Sequence, residues 1–228
     1  MDAPDCDIAY LGEALDVLAR ANRLLGGWET LWRQLGPLVA GRTPGPLRLL
    51  DVGVGGGDLS RRLHARLVRL GWGPRFVLAD LHERSLGLAR ERWRGGAAGL
   101  DGRHGRFVRL TASRLPFADR SFDVAYSTTT LHHLERNEAI GLLAELGRVA
   151  RLGWVITDLR RSRLALAAVS LLGATLWRTK RFSRRDGPAS VRRSFTPAEI
   201  DALVAEAGLR ATRLRAGPFR LSVRGERP

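Results

Sequence analysis

Hydrophobic positions along this 228-residue chain follow two periods. Ile8, Leu11, Leu15, Leu18 and Ala19 recur at helical spacing, as do Leu31, Leu35 and Leu38 beyond a Gly26-Gly27 break. Residues 8 to 40 therefore read as two helices. Thr43-Pro44-Gly45-Pro46 interrupts the pattern, and short apolar runs then alternate with helical stretches up to Asp158. Leu49-Leu50 runs into Asp51, and Phe76-Val77-Leu78-Ala79 runs into Asp80. This alternation predicts an open α/β sheet, mostly parallel, with right-handed crossovers. Leu164 to Trp177 is an almost unbroken apolar run, followed by the basic residues Arg178, Lys180, Arg181, Arg184 and Arg185. Thr196-Pro197-Ala198-Glu199 carries a helix-start signature, a Thr cap with Pro at N1 and Glu at N3. The chain beyond it, to Val223, has room for two strands, expected as an antiparallel hairpin closing the sheet. The pattern divides into a helical arm (1–45), a sheet core (46–158), an insertion (159–195) and a C-terminal helix with closing strands (196–228).

The insertion has three readings: a buried core helix, a lid presenting an apolar wall to a substrate, or a surface helix touching membrane. Its position after the fifth strand favours the lid, because open α/β sheets bind ligands in the crevice at the carboxyl ends of their strands. Together with Leu24, Leu25, Trp28 and Trp32 of the arm, such a lid would enclose a largely hydrophobic pocket.

Composition adds limits. The length suits one α/β domain with a small cap. Cys6 is the only cysteine, which excludes an internal disulfide and suits a reducing cytosol. The acidic start Met1-Asp2-Ala3-Pro4-Asp5 lacks the basic n-region of a signal peptide, and no apolar run reaches the roughly 18 residues needed to span a bilayer. A cytoplasmic protein is the expectation, without stable membrane insertion, as a monomer or homodimer. The net charge of +15 invites a nucleic-acid partner. Against that, Lys180 is the only lysine among 38 basic residues, and the arginines are spread along the chain. A solvated basic surface explains the charge, and no nucleic acid is expected.

The chemistry concentrates at Asp51-Val52-Gly53-Val54-Gly55-Gly56-Gly57-Asp58, an apolar run ending in a glycine-rich turn before a helical pattern. Dinucleotide sites use Gly-x-Gly-x-x-Gly, with pyrophosphate on the helix N-terminus. Here the third glycine of that spacing falls at Asp58, and two carboxylates would repel a pyrophosphate. They suit a ligand with a cationic head and no phosphate, such as S-adenosylmethionine. No cluster of His and carboxylates with ligand spacing appears near the strand ends, so no metal is expected.

The remaining motifs follow in order: Leu115-Pro116-Phe117-Ala118-Asp119-Arg120-Ser121-Phe122-Asp123, then Leu131-His132-His133-Leu134, then the helical Leu142-Leu143-Ala144-Glu145-Leu146. With these, residues 47 to 160 resemble the class I S-adenosylmethionine-dependent methyltransferases, most of all the branch containing ubiquinone/menaquinone C-methyltransferases and many small-molecule enzymes. The resemblance implies a Rossmann-like sheet of seven mostly parallel strands with helices on both faces. It also implies that Asp51, Gly53 and Gly55 hold the methionine part of the cofactor and Asp80 the ribose hydroxyls. Leu81 would pack on adenine, and Ser127 would lie near the methionine end. Thr111, followed by Ala112, stands where the family commonly places an acid toward adenine, and the family's Pro-Gly-Gly turn before the fifth strand is reduced to Arg151-Leu152-Gly153.

On the acceptor side, His132 is a candidate general base, and its neighbour His133 should point roughly 100° away on a helix start. Asp158 ends the fifth strand, where it either orients the acceptor or pairs with Arg160 or Arg161. Trp28, Thr130, Arg161 and Arg193 are candidate substrate contacts, with Arg192 and Arg193 alternatively a solvent-facing pair. Segments such as Asn22-Arg23-Leu24-Leu25-Gly26-Gly27 and Thr157-Asp158-Leu159-Arg160-Arg161-Ser162 resemble bacterial methyltransferases of secondary metabolism. The expected activity is O-methylation of a small phenolic or polyketide-like acceptor. The alternatives are C-methylation of a quinone-like ring, methylation of RNA or protein, and a cofactor-binding protein without turnover.

Overall fold

The apolar runs that end in acids become the centre of one seven-stranded sheet. The computed structural model describes residues 8–95, 102–175, 181–214 and 217–226, and for Ile8, Ala9 and residues 181–185 the backbone alone. The strands are β1 (Pro46–Val52), β2 (Gly73–Asp80), β3 (Gly105–Arg109), β4 (Phe122–Thr128), β5 (Ala150–Leu159), β6 (Thr212–Leu214) and β7 (Arg220–Glu226). Their order is β3-β2-β1-β4-β5-β7-β6. The first five are parallel, and β7 runs antiparallel to both β5 and β6. The expected closing hairpin is present, with β7 reaching Glu226.

Period-2 alternation sorts the strand residues onto two faces. Leu47, Leu49, Val124, Tyr126 and Val155 pack beneath α2 (Gly27–Val39), α3 (Asp58–Arg69) and α4 (Glu83–Arg94). Leu50, Val52, Ala125, Trp154 and Ile156 pack against α5 (Arg136–Val149) and α8 (Pro197–Glu206). The start of α8 is the capping box expected from Thr196 and Glu199.

The N-terminal arm splits in two. α2 is a core helix: Trp28, Leu31, Leu35, Leu38 and Val39 are buried against the sheet. Trp28 stacks on Trp32, and Arg62 lies over its ring. It lines neither cavity described below, so the expected substrate contact is a packing residue. Only α1 (Ile8–Leu24) is left to cover the strand ends. It is tied down by Arg92, which pairs with Asp16 at 2.8 Å, and by Tyr10, whose hydroxyl donates to Asp186 at 2.7 Å.

The insertion is a helix pair, α6 (Arg163–Ala174) and α7 (Arg181–Arg193). The buried-helix reading fails, because α6 buries only Ala165 and Gly173 and leaves Leu164 and Leu171 exposed. The two helices touch closely, since a Cβ on Gly187 would meet Val169 at 2.9 Å. Trp177, Arg178 and Lys180 lie outside the described residues, as do the side chains of Arg181, Arg184 and Arg185 and residues 1–7 with Cys6. Among the described residues, no helix is long and apolar enough to cross a membrane.

Candidate active site

The strand order reverses between β1 and β4, and the crevice of an open α/β sheet forms at such a point. Register puts Val52 level with both Ala79 and Ser127. The residues that follow, Gly53, Asp80 and Thr128, therefore share one carboxyl edge. A cleft of about 320 Å³ opens there. Gly53, Gly55 and Asp58 line it along the glycine loop, with Asp80 and Leu81 at the end of β2 and Thr111, Ala112 and Ser113 after β3. Thr128 at the end of β4 closes it with Thr129 and Thr130 beyond, and Leu15, Leu18 and Asn22 of α1 cover it.

Gly53 has φ 81°, and a Cβ there would lie 2.1 Å from Thr130 Oγ1. Only glycine lets this loop cross so close to the turn after β4. Asp80 fixes the loop from below: Oδ2 accepts from the Gly55 amide at 2.9 Å and Oδ1 from the His82 amide at 3.0 Å. A carboxylate has about four lone-pair sites, so each oxygen keeps capacity toward the cleft.

The lining carries the carboxylates Asp58, Asp80 and Glu138 and no arginine or lysine among the described residues, in a chain of net charge +15. That field repels a pyrophosphate and attracts a cation. Two polar residues expected in this wall stand behind it. Strand parity places Asp51 with Leu47 and Leu49, beneath α3, where its carboxylate accepts from Ser60 Oγ. Ser60 Oγ also lies 2.8 Å from the Tyr126 hydroxyl. Burial pushes the Asp51 carboxyl up to about 7, against the hydrogen bonds from Ser60 and Tyr126, with Asp80 and Asp58 adding repulsion. Ser127 is also buried, donating to the Val52 carbonyl at 2.6 Å.

Beyond Thr129 lies a second, smaller cavity of about 80 Å³. Its walls are mostly apolar: Val17, Leu18 and Ala21 of α1 with Leu25 just beyond it, Ala165, Ala168 and Val169 of α6, Val191 of α7, and Phe219. The polar groups on it are Thr129, His132, His133, Ser190 and Arg220. Thr129 has φ 57°, a left-handed conformation uncommon for a β-branched residue, and it lines both cavities.

His132 and His133 stand on a short 3-10 turn, Leu131–His133, with ring centroids 4.1 Å apart. They do not diverge as expected for a helix start, and His133 lines both cavities. His132 Nδ1 lies 2.6 Å from Asp158 Oδ1, and the His132 amide donates to Asp158 Oδ2 at 3.1 Å. Asp158 is fully buried. Burial alone would raise its pKa, yet His132 and the amides of Leu159 and His132 hold it below the ordinary carboxylate value. An ionised Asp158 accepts the proton on Nδ1, which leaves Nε2 as the basic nitrogen.

Asp158 thus pairs with His132 rather than with Arg160 or Arg161. Arg161 instead bonds Glu199 on the surface, and Arg193 is exposed in the last turn of α7. Neither lines the cleft or the second cavity, whereas Thr130 lines the cleft. The sequence reading missed Asn22, Glu138 and Arg220. Arg220 opens a strand among 37 arginines, and only its burial sets it apart.

The fold and the sequence of its first five strands are similar to known proteins. A methyltransferase domain description fits residues 49–153. Residues 49–153 thus carry a methyltransferase domain. The methyltransferase region is 36% identical over 124 residues to a ubiquinone/menaquinone biosynthesis C-methyltransferase of Ectopseudomonas oleovorans, covering 51% of this chain and 65% of that protein. The chain spans about half the length of the curated relatives it matches, 42% for one from Ectopseudomonas mendocina. The methyltransferase fold recurs in a SAM dependent methyltransferase from Aquifex aeolicus, with a TM-score of 0.67 and 20% identity over 97% of this chain and 98% of that one. It recurs also in magnesium protoporphyrin IX methyltransferase from Synechocystis PCC 6803 with bound SAH, with a TM-score of 0.58 and 20% identity over 89% and 84%.

Proposed function

We propose that the protein transfers a methyl group from S-adenosylmethionine to a hydroxyl of a small, largely hydrophobic acceptor, phenolic or polyketide-like, in secondary metabolism. The observation that carries the reading is the pairing of an acidic, arginine-free glycine-loop cleft with an apolar cavity that presents the His132–Asp158 pair. Bound in the cleft, S-adenosylmethionine supplies a methyl group already activated on a sulfonium, so the protein's task is mainly proximity and orientation. Asp80 has free acceptor capacity for a ribose diol, Leu81 offers an apolar surface for adenine, and Asp58 opposes an ammonium. Gly53 and Gly55 give the backbone approach. Asp51 and Ser127 shape the loop from behind.

In the second cavity His132 Nε2 takes the proton of the acceptor hydroxyl as the oxygen is methylated. Asp158 fixes the tautomer and stabilises the imidazolium that results. Such a base contributes typically 10²- to 10⁴-fold. The helix pair α6–α7 and α1 act as the lid that keeps water from the reacting oxygen.

A second reading, C-methylation of a quinone-like ring, is favoured by the similarity to ubiquinone/menaquinone biosynthesis C-methyltransferases. The same base would serve it, by ionising a ring hydroxyl.

The test is label transfer. Purified protein and methyl-labelled S-adenosylmethionine are incubated with cell extract, which is then split into organic-soluble, RNA and protein fractions. Label in the organic fraction is expected, on a methyl carbon with the chemical shift of a methoxy group. A C-methyl shift would select the second reading. Label in RNA or protein alone would overturn both.

A further inference from the structure

Arg220 is 3% exposed, and its guanidinium is held by neutral groups only. Nη2 donates to Asn22 Oδ1 at 2.8 Å and Nη1 to Thr129 Oγ1 at 3.4 Å. Nε is buried without an acceptor. Among the described residues the side chain forms no ion pair. Asp158 is already engaged by His132 and Leu159, and Asp58 lies across Asn22, whose Nδ2 donates to it at 3.4 Å. Both carboxylates act on the guanidinium only at a distance, and a buried cation with no ion pair of its own is expensive; arginine keeps its proton rather than escape the cost. Both partners are neutral oxygens, which call for a donor and not for a charge. The guanidinium sits in the wall of the second cavity, beside His132.

Resting on the reading of that cavity as the acceptor site, we propose that Arg220 binds a carboxylate on the acceptor and so selects hydroxy acids over neutral phenols. An acceptor of this class has an apolar body for Leu25 and Val169, a carboxylate for the guanidinium, and a hydroxyl for His132. The planar guanidinium suits a carboxylate better than any single-point anion.

The test separates binding from turnover. Benzoate and its neutral analogue benzamide are titrated calorimetrically into the full chain saturated with S-adenosylhomocysteine, for the native protein, Arg220→Met and Arg220→Lys. Benzoate is expected to bind the native protein at least tenfold more tightly than benzamide. Arg220→Met should lose that preference, Arg220→Lys should keep part of it, and both should hold S-adenosylhomocysteine as before. Without benzoate, the melting temperature of Arg220→Met should hold or rise, because a buried charge is gone.

Equal binding of benzoate and benzamide to the native protein would overturn the proposal, with no variant needed. Unchanged benzoate binding in Arg220→Met would overturn it too. Weakened S-adenosylhomocysteine binding in that variant would do so as well, by assigning the guanidinium to the carboxylate of the cofactor. Failure of the methyl-transfer reading would show instead as absence of label in any acceptor while the benzoate preference persists.

Discussion

The two cavities meet at Thr129 and are built with opposite chemistry. The glycine-loop cleft is wide, lined by three carboxylates and spared every one of the chain's arginines among the described residues. The second cavity is narrow and apolar, with one arginine and no carboxylate on its surface among the described residues. Their acids differ in the same way. Asp51, behind the cleft, has no cation and is pushed toward neutrality by burial. Asp158, behind the second cavity, is buried just as deeply yet stays ionised because His132 is its partner. Burial does not decide the charge of a carboxyl group; what faces it does.

Substitutions can break or sharpen this contrast. The largest effect belongs to His132→Gln, which should lower kcat by about 10²- to 10⁴-fold while leaving S-adenosylhomocysteine affinity unchanged by calorimetry. A matching loss of cofactor affinity would mean that the two cavities are not separable. Asp51→Asn tests the other acid. The native fold holds a proton on Asp51 that the unfolded chain releases between its ordinary pKa of 3.8 and about 7. Native stability should therefore fall as pH rises through that window and level off above it. The replacing amide has no proton to lose, so the variant should gain on the native protein toward pH 8, on the order of 4 kcal/mol before relaxation. Parallel denaturation curves at pH 5 and pH 8 would exclude this.

Asp80→Asn should weaken S-adenosylhomocysteine binding by roughly 10- to 100-fold, the cost of one or two charge-assisted hydrogen bonds. Benzoate affinity should not move with it. The smallest effect is expected at Arg161, which lies outside both cavities. Arg161→Ala should change activity less than about twofold and stability by less than about 1 kcal/mol, the worth of an exposed ion pair.

The cleft is far more legible in the sequence than the cavity beside it. A strand ending in an acid, a glycine turn and a helix start are local patterns, and they lead to Gly53, Gly55, Asp80, Leu81, Thr111 and Ala112. Asp51 is misjudged by the same patterns, although the parity that hides it is written in Leu47, Leu49 and Asp51. Periodicity shows that α2 buries a face. It does not show that the face packs on the sheet rather than over the site, because an amphipathic stripe does not name its partner. α7 escapes a reading as a helix, since its charged and small residues leave little apolar period. Arg220 carries no signal, because its meaning comes from its side chain meeting Asn22 of α1, a contact across nearly the whole chain.

The side chain of Asn22 has a thermodynamic consequence. One end of its amide holds Arg220 and the other reaches Asp58, so the polar anchors of both cavities share a single rotamer. Ordered within the fold before either ligand arrives, that amide adds no ordering cost to binding in either cavity.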